Sequence, residues 1–232
     1  MKNKSIFKKN DRALVFGSSG GIGSSIYFKL VEQLGEENVV GLSRKNNDFD
    51  LEDEESISKL STNIKQEFRF IINATGILSE NEAEPEKTIK NINRKNMLKI
   101  FSINSVGPAL LIKYFSGHLS KKEKSIFVNL SARVGSIEDN QLGGWISYRS
   151  SKAALNQIIK TSSIEIKRKI PNSIIIGMHP GTVATNLSKS YIRNKKVFSS
   201  DLSAQMILNT CNKLNEDHSG CFLSYNGELI KW

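Results

Sequence analysis

Short apolar runs alternate along the chain with longer stretches in which apolar residues recur every three or four positions. Ala13-Leu14-Val15-Phe16, Val39-Val40-Gly41-Leu42, Phe70-Ile71-Ile72, Ile126-Phe127-Val128-Asn129-Leu130 and Ile174-Ile175-Ile176-Gly177-Met178 read as buried strands. Another short strand is expected to end at Phe49-Asp50-Leu51, and residues 221–225 to form a closing strand. Helical spacing lies between them. Ile22, Ile26, Leu30 and Leu34 recur at period four. Ile57, Leu60 and Ile64 follow an acidic start suited to the positive end of a helix dipole. Met97, Phe101, Val106, Leu110 and Phe115 mark a long helix. The helix carrying Tyr148 and Lys152 continues through Leu155, Ile158, Ile159 and Ile166 and should end before Pro171. A last helix is expected over 202–214. Residues 79–96 read mostly as loop, and 181–199 as an irregular lid. The chain shows no repeat, linker or composition break. This order predicts an α/β fold: a doubly wound parallel sheet of about seven strands with helices on both faces, in one domain spanning 1–232.

Composition narrows the setting. At 232 residues the chain can bury a substantial core. Its formal charge of +10 comes from 33 basic and 23 acidic residues. The lysines are scattered rather than clustered with aromatics, so they read as a solvated surface and no nucleic-acid partner is expected. No apolar run reaches roughly 18 residues, so no membrane span is expected. The basic N-terminus lacks the apolar stretch and cleavage site of a signal peptide. Cys211 and Cys221 have neither metal nor disulfide spacing, which suits a reduced, cytoplasmic setting. His118, His179 and His218 lie far apart; they read as structural or surface residues, and no metal site is expected.

Two motifs carry chemistry. Gly17-Ser18-Ser19-Gly20-Gly21-Ile22-Gly23 links the first strand to the first helix, the context of a dinucleotide fingerprint. Gly17 permits the tight turn and Gly23 close helix–strand packing. Backbone N–H groups at the helix start, Gly21 and Ile22 among them, can bind a pyrophosphate, and Ser18 and Ser19 add hydroxyl donors. The second strand ends in Ser43-Arg44, where NAD-preferring sites place a carboxylate. Arg44 can pair with a 2′-phosphate and Ser43 can hydrogen-bond it, so NADP(H) is expected over NAD(H); the plainer reading of Arg44 is a solvated loop residue. Asp48 lies too late in the turn to replace it. Asp50 and Leu51 are placed to contact the adenine. Asn73-Ala74-Thr75-Gly76 follows a strand, and Gly76 lets backbone approach the adenine ribose; the same segment also reads as a turn that stabilises the sheet.

The second motif is Tyr148-Arg149-Ser150-Ser151-Lys152. Four-residue spacing puts the phenol and the ammonium on one helix face. Hydride reduction of a carbonyl leaves an alkoxide that needs a proton. The ammonium is expected to lower the phenol pKa from its usual ~10 and to bind the nicotinamide ribose.

With residues 17–23, Asp50, Asn73 to Gly76, Asn104, Ser131, Tyr148, Lys152 and Pro180-Gly181-Thr182 in this order, the chain resembles the short-chain dehydrogenase/reductase family over nearly its whole length. The stretches Leu130-Ser131-Ala132-Arg133-Val134-Gly135-Ser136-Ile137 and Gly143-Gly144-Trp145-Ile146-Ser147-Tyr148-Arg149 are most similar to its small branch of C-factor and sniffer-like carbonyl reductases. The resemblance implies a single-domain Rossmann fold and an NADPH-dependent oxidoreductase acting on a small-molecule carbonyl or alcohol. Tyr148 is then the general acid. Asn104 holds a helix kink and an ordered water that links Lys152 to solvent. Pro180, Gly181, Thr182 and Val183 bound the nicotinamide. A homodimer or homotetramer is implied through the helices around 97–115 and 148–166.

One departure stands out. The family commonly has two serines after the fifth strand, the second usually catalytic; here the pair is Ser131-Ala132. Ser131 is the expected catalytic serine, with Ser136 as the alternative. Residues 133–145 should wall the substrate pocket, and the lid, about 182–199, should cover it. Trp145 offers an apolar wall or a core contact. Lys189, Arg193, Lys195 and Lys196 make the lid basic, for an acidic substrate or simply for solvent. A second reading follows from Ala132: a cofactor-binding regulatory or cell-signalling protein with little turnover.

Overall fold

The computed structural model describes residues 7–47, 49–79, 84–185 and 197–232. Asp48, the lid residues Lys189, Arg193, Lys195 and Lys196, and most of the expected lid lie outside them. In chain order the elements are β1 (Ala13–Phe16), α1 (Gly21–Leu34), β2 (Val39–Leu42), the single turn α2 (Arg44–Asn47), α3 (Glu54–Asn63), β3 (Phe70–Asn73), α4 (Arg94–Phe101), α5 (Gly107–Phe115), β4 (Ser125–Leu130), α6 (Ile146–Lys169), β5 (Ser173–His179), α7 (Ser200–Cys211) and β6 (Phe222–Ser224).

The strands form one parallel sheet in the order β2-β1-β3-β4-β5-β6. Every residue of β1, β3 and β4 is buried, because helices cover both faces of a parallel sheet. Successive side chains serve opposite faces. Val15 packs in one core cluster with Ile26 and Leu30 of α1 and Ile207 of α7. Leu14 and Phe16 pack in the other with Ile57 of α3, Phe115 of α5 and Ile159 of α6. Each such fully buried side chain contributes about 1.5–3 kcal/mol. The chain passes from β1 outward to β2, then crosses back to β3 on the other side of β1. That reversal leaves a crevice at the carboxyl ends of β1 and β3, where ligands bind in open α/β sheets.

Among the described residues the sheet has six strands rather than about seven. Phe49-Asp50-Leu51 forms no strand because local polar bonds claim its backbone. The Asp50 amide donates to Ser56 Oγ at 3.2 Å, and Asp50 Oδ1 accepts from the Glu52 amide at 3.0 Å. Asp53 caps α3, accepting from the Glu55 and Ser56 amides. Such side-chain bonds compete with ladder pairing. Phe49 is nevertheless buried, its ring 5.4 Å from that of Phe16.

The expected long helix is interrupted. A π turn, Ser102–Val106, separates α4 from α5 and contains Asn104. Inserted π turns bend a helix and redirect its side chains, often at functional positions. Among the described residues no helix is long and apolar enough to cross a membrane.

Candidate active site

The carboxyl ends of the strands open into a continuous groove. Its outer end is a cavity of about 190 Å³ lined by Gly17, Ser19, Gly20, Ser43, Arg44, Asp50, Leu51, Ala74 and Gly76 among others. The turn above it is built by glycine. Gly17 has φ +79°, and its amide donates to the Leu42 carbonyl oxygen at 2.8 Å. A Cβ on Gly23 would lie 2.2 Å from the Gly17 carbonyl oxygen, so only glycine lets α1 start so close to the turn. The N-cap of α1 is Gly20, with no side-chain cap and no acidic residue in the first turn. The first amides of α1 therefore face the groove ready to accept an anion. Arg44 is exposed at the cavity rim, and no acidic side chain among the described residues pairs with it. Ser18 and Asn73 hold the turn: the Ser18 amide donates to the Leu42 oxygen at 3.3 Å, and Asn73 Nδ2 donates to Asn129 Oδ1 at 3.2 Å.

Further along, a cavity of about 610 Å³ is lined by Gly21, Ile22, Gly76, Ser131, Tyr148, Lys152 and Pro180. Here α6 meets the π turn. Asn104 Oδ1 accepts from the Ile77 amide at 2.9 Å, and its Nδ2 donates to the Ile77 oxygen at 2.8 Å and to Ser151 Oγ at 3.1 Å. One amide side chain thus ties the loop after β3 to the helix bearing Tyr148. Lys152 Nζ donates to the Leu130 carbonyl oxygen at 3.0 Å and sits 6.0 Å from the centroid of the Tyr148 ring. A Cβ on Gly76 would stand 3.4 Å from Lys152 Nζ and 3.2 Å from Asn104 Oδ1. Gly135 makes the same kind of room: a Cβ there would lie 2.7 Å from that of Lys152.

Burial governs the titration of this pair. It raises the Tyr148 phenol to about 12 and lowers the Lys152 ammonium to about 8. The expectation that Lys152 lowers the phenol pKa is therefore corrected. At 6.0 Å from the ring the ammonium does not outweigh the desolvation of a phenolate. Tyr148 carries its proton at neutral pH.

The inner end of the groove is a largely apolar cleft of about 360 Å³ lined by Leu78, Ala132, Leu142, Trp145, Tyr148, His179, Pro180, Gly181, Thr182 and Val183 among others. Trp145 is a cleft wall, its ring centroid 6.3 Å from that of Tyr148. It adopts the left-handed conformation, φ 53°, as N-cap of α6. Ser131 borders the cleft, but its hydroxyl donates to Asn156 Oδ1 at 2.7 Å and is directed into α6. Ser136 is 1% exposed, and its Oγ accepts from the Asp139 amide at 3.1 Å. The Ser131 proton is thus directed away from the cleft, and Ser136 is not among the residues lining it.

Two residues go beyond the sequence reading: Glu86, which no motif includes, and His179, expected to be structural or on the surface but found lining the cleft. Buried Glu86 accepts from the Ser147 amide at 3.3 Å and from the Ser147 hydroxyl, capping α6 one residue before Tyr148. It lies 61 residues upstream, in a stretch read as loop, so no local pattern marks it. His179 lines the cleft and its Nδ1 accepts from the Arg133 amide at 3.3 Å. Its position at the end of a predicted parallel strand, just before Pro180-Gly181, was the available signal. No group of histidine, cysteine and carboxylate side chains among the described residues could hold a metal ion.

Comparison with known proteins agrees with this geometry. The chain is 27% identical to C-signal of Myxococcus xanthus over 142 residues, 61% of this chain and 82% of that protein. It superposes on the NADPH-bound carbonyl reductase from chicken fatty liver with a TM-score of 0.80 and 25% identity, over 95% of this chain and 94% of the other. Carbonyl reductase Sniffer of D. melanogaster shares the fold, with a TM-score of 0.79 and 24% identity over 96% of this chain and 99% of that one. The short chain dehydrogenase family model matches residues 29–196, from the first helix to beyond the Pro180-Gly181 turn. The chain therefore belongs to the short-chain dehydrogenase family, as an NAD(P)-dependent oxidoreductase.

Proposed function

We propose that the protein reduces an aldehyde or ketone to the alcohol, with NADPH as preferred hydride donor and Tyr148 as proton donor. The observation that carries this reading is the position of Tyr148. It lines both the groove beside Lys152 and the apolar cleft beside Trp145, so a proton can be delivered where the two spaces meet.

The residues present fit a dinucleotide. The uncapped start of α1 and the crowding at Gly23 suit a pyrophosphate held by the turn amides of Ser19, Gly21 and Ile22. Ser43 and Arg44 would take the 2′-phosphate, Asp50 and Leu51 the adenine, and Ala74 and Gly76 the adjoining ribose. Lys152 would hold the second ribose, and Pro180, Gly181, Thr182 and Val183 the nicotinamide side. Bound there, the reduced cofactor supplies the hydride. Tyr148 keeps its proton until an alkoxide forms in the cleft, then passes it from Oη to that oxygen. The cation of Lys152 stabilises the phenolate left behind. Asn104 fixes the α6 register on which both depend.

The described residues act as one cofactor-binding domain. Exposed Leu98, Val106 and Ile164 support packing against a second copy as a homodimer or homotetramer. The name carbonyl reductase attached to the chicken structure, and the NADPH bound in it, agree with the assignment. A second reading, a cofactor-binding signalling protein with little turnover, draws on Ala132 and on the engagement of Ser131 by Asn156. Steady-state oxidation of NADPH and NADH with aldehydes, ketones and quinones separates the two. Turnover supports the reductase, and tight NADPH binding without turnover supports the second reading.

A further inference from the structure

The cleft has a second donor besides Tyr148. The Arg133 backbone amide can only donate, so His179 Nδ1, 3.3 Å away, must be the acceptor and carries no proton. The neutral ring then holds its proton on Nε2. No described residue engages that Nε2–H or the Tyr148 hydroxyl, although both side chains line the cleft. Other donors line the cleft, among them Gln141 and two arginines with neighbours of their own. Arg149 Nε donates to the Gly144 oxygen at 3.0 Å, and Arg133 lies 3.6 Å from Asp139. Ala132, the residue before Arg133, offers the cleft no hydroxyl, and Ser131 donates to Asn156.

We propose that His179 Nε2–H binds substrate in this cleft, donating a neutral hydrogen bond to the carbonyl oxygen that Tyr148 protonates and so supplying the donor that Ala132 lacks. This rests on the reductase reading. Burial and the nearby charge of Arg133 lower the imidazole pKa to about 4, which keeps the ring neutral at working pH. A neutral donor suits an uncharged carbonyl compound better than an imidazolium would, because no buried charge must be left behind when the product departs.

Two variants separate the two ring nitrogens. In His179→Asn the amide oxygen can still accept from the Arg133 amide, but nothing reaches the Nε2 position. In His179→Gln the amide nitrogen restores a donor near Nε2. With NADPH and 4-nitrobenzaldehyde, 1-phenyl-1,2-propanedione or 9,10-phenanthrenequinone, H179N should lose about three- to tenfold in kcat/KM, the loss of one neutral hydrogen bond. H179Q should recover a clear part of that loss, with the NADPH dissociation constant unchanged in both. Wild-type kcat/KM in H179N, or H179Q no better than H179N, overturns the proposal. ¹⁵N NMR of the wild-type imidazole tests it without a variant. The expected result is a neutral, Nε2-protonated ring at pH 7 whose Nε2–H resonance shifts when the carbonyl compound is added; an Nδ1-protonated ring, or no shift, overturns the proposal. Wild-type protein that binds no NADPH defeats the reductase reading instead, while the tautomer still decides the geometry claimed for His179.

Discussion

Lys152 Nζ donates to the carbonyl oxygen of Leu130 at 3.0 Å, fastening the middle of the α6 active face to the end of β4. The bond places a buried ammonium where the nucleotide groove and the apolar cleft meet. Its pKa, about 8 in the fold against an ordinary 10.5, makes the charge sensitive to mild alkali. Catalysis that needs the cation should fade as pH rises through about 8. Stability should move the other way. Between 8 and 10.5 the unfolded chain holds more protons on Lys152 than the folded one, so the Lys152 contribution to folding stability rises with pH across that window, opposed above pH 9 by the Cys211 thiol, which burial raises to about 12. A pH profile of kcat/KM beside thermal melting at the same pH values checks both slopes. Lys152→Met should abolish the alkaline limb with the activity and melt no lower at pH 7.

Arg44 predicts the cofactor preference. Removing its charge at the 2′-phosphate position by Arg44→Ala should weaken NADPH by about 10- to 100-fold, the range for a lost charge-assisted hydrogen bond, and leave NADH nearly unchanged. Fluorescence titration with both cofactors reads this directly. Equal loss for both would mean that Arg44 supports the loop rather than the phosphate.

Glu86 couples a distant loop to the proton donor. Replacing it by Ala removes the acceptor of the Ser147 amide and hydroxyl and leaves the start of α6 uncapped. A lost cap costs about 1–2 kcal/mol, and for a chain of this size each kcal/mol lowers Tm by about 2–4 °C. Because Tyr148 is the next residue, kcat should fall as well, with NADPH binding retained. Melting curves and steady-state kinetics of Glu86→Ala test the pair of effects.

Ser131 should behave as a structural hydroxyl. Ser131→Ala leaves buried Asn156 Oδ1 without its donor, a loss of about 1–3 kcal/mol in stability. Turnover should fall by less than about tenfold, well short of the 10²- to 10⁴-fold associated with a proton donor. A loss as large as that of Tyr148→Phe would restore Ser131 to the role its motif suggested.

The order of strands and helices was legible because a parallel sheet buries whole strands: β1 is an unbroken apolar run, and β3 and β4 are apolar but for Asn73, Ser125 and Asn129. Phe49-Asp50-Leu51 misled for a specific reason. Two buried apolar residues resemble a strand, whereas Asp50, Asp53 and Ser56 divert the backbone into turns through bonds that hydropathy does not register. Glycine positions were readable because turn and approach both demand the absence of a Cβ, as at Gly23. The π turn at Asn104 entered only through the family resemblance, although the apolar spacing steps by five from Phe101 to Val106, where the extra residue lies. The side chains that finish the site were hardest to see. Glu86 reaches α6 across 61 residues, and His179 acquires its tautomer from the amide of a residue 46 positions away. Long-range hydrogen bonds of this kind leave no periodic signal. The titration of Tyr148 was misjudged because desolvation depends on burial, which a four-residue spacing does not reveal.

The most direct measurement is the reduction of a carbonyl panel by purified wild-type protein and by Tyr148→Phe, followed as NADPH oxidation, with NADPH affinity measured separately for each. The wild type should turn over, the variant should lose on the order of 10²- to 10⁴-fold, and NADPH affinity should be similar in both. Turnover that survives the loss of the Tyr148 hydroxyl would contradict Tyr148 as proton donor.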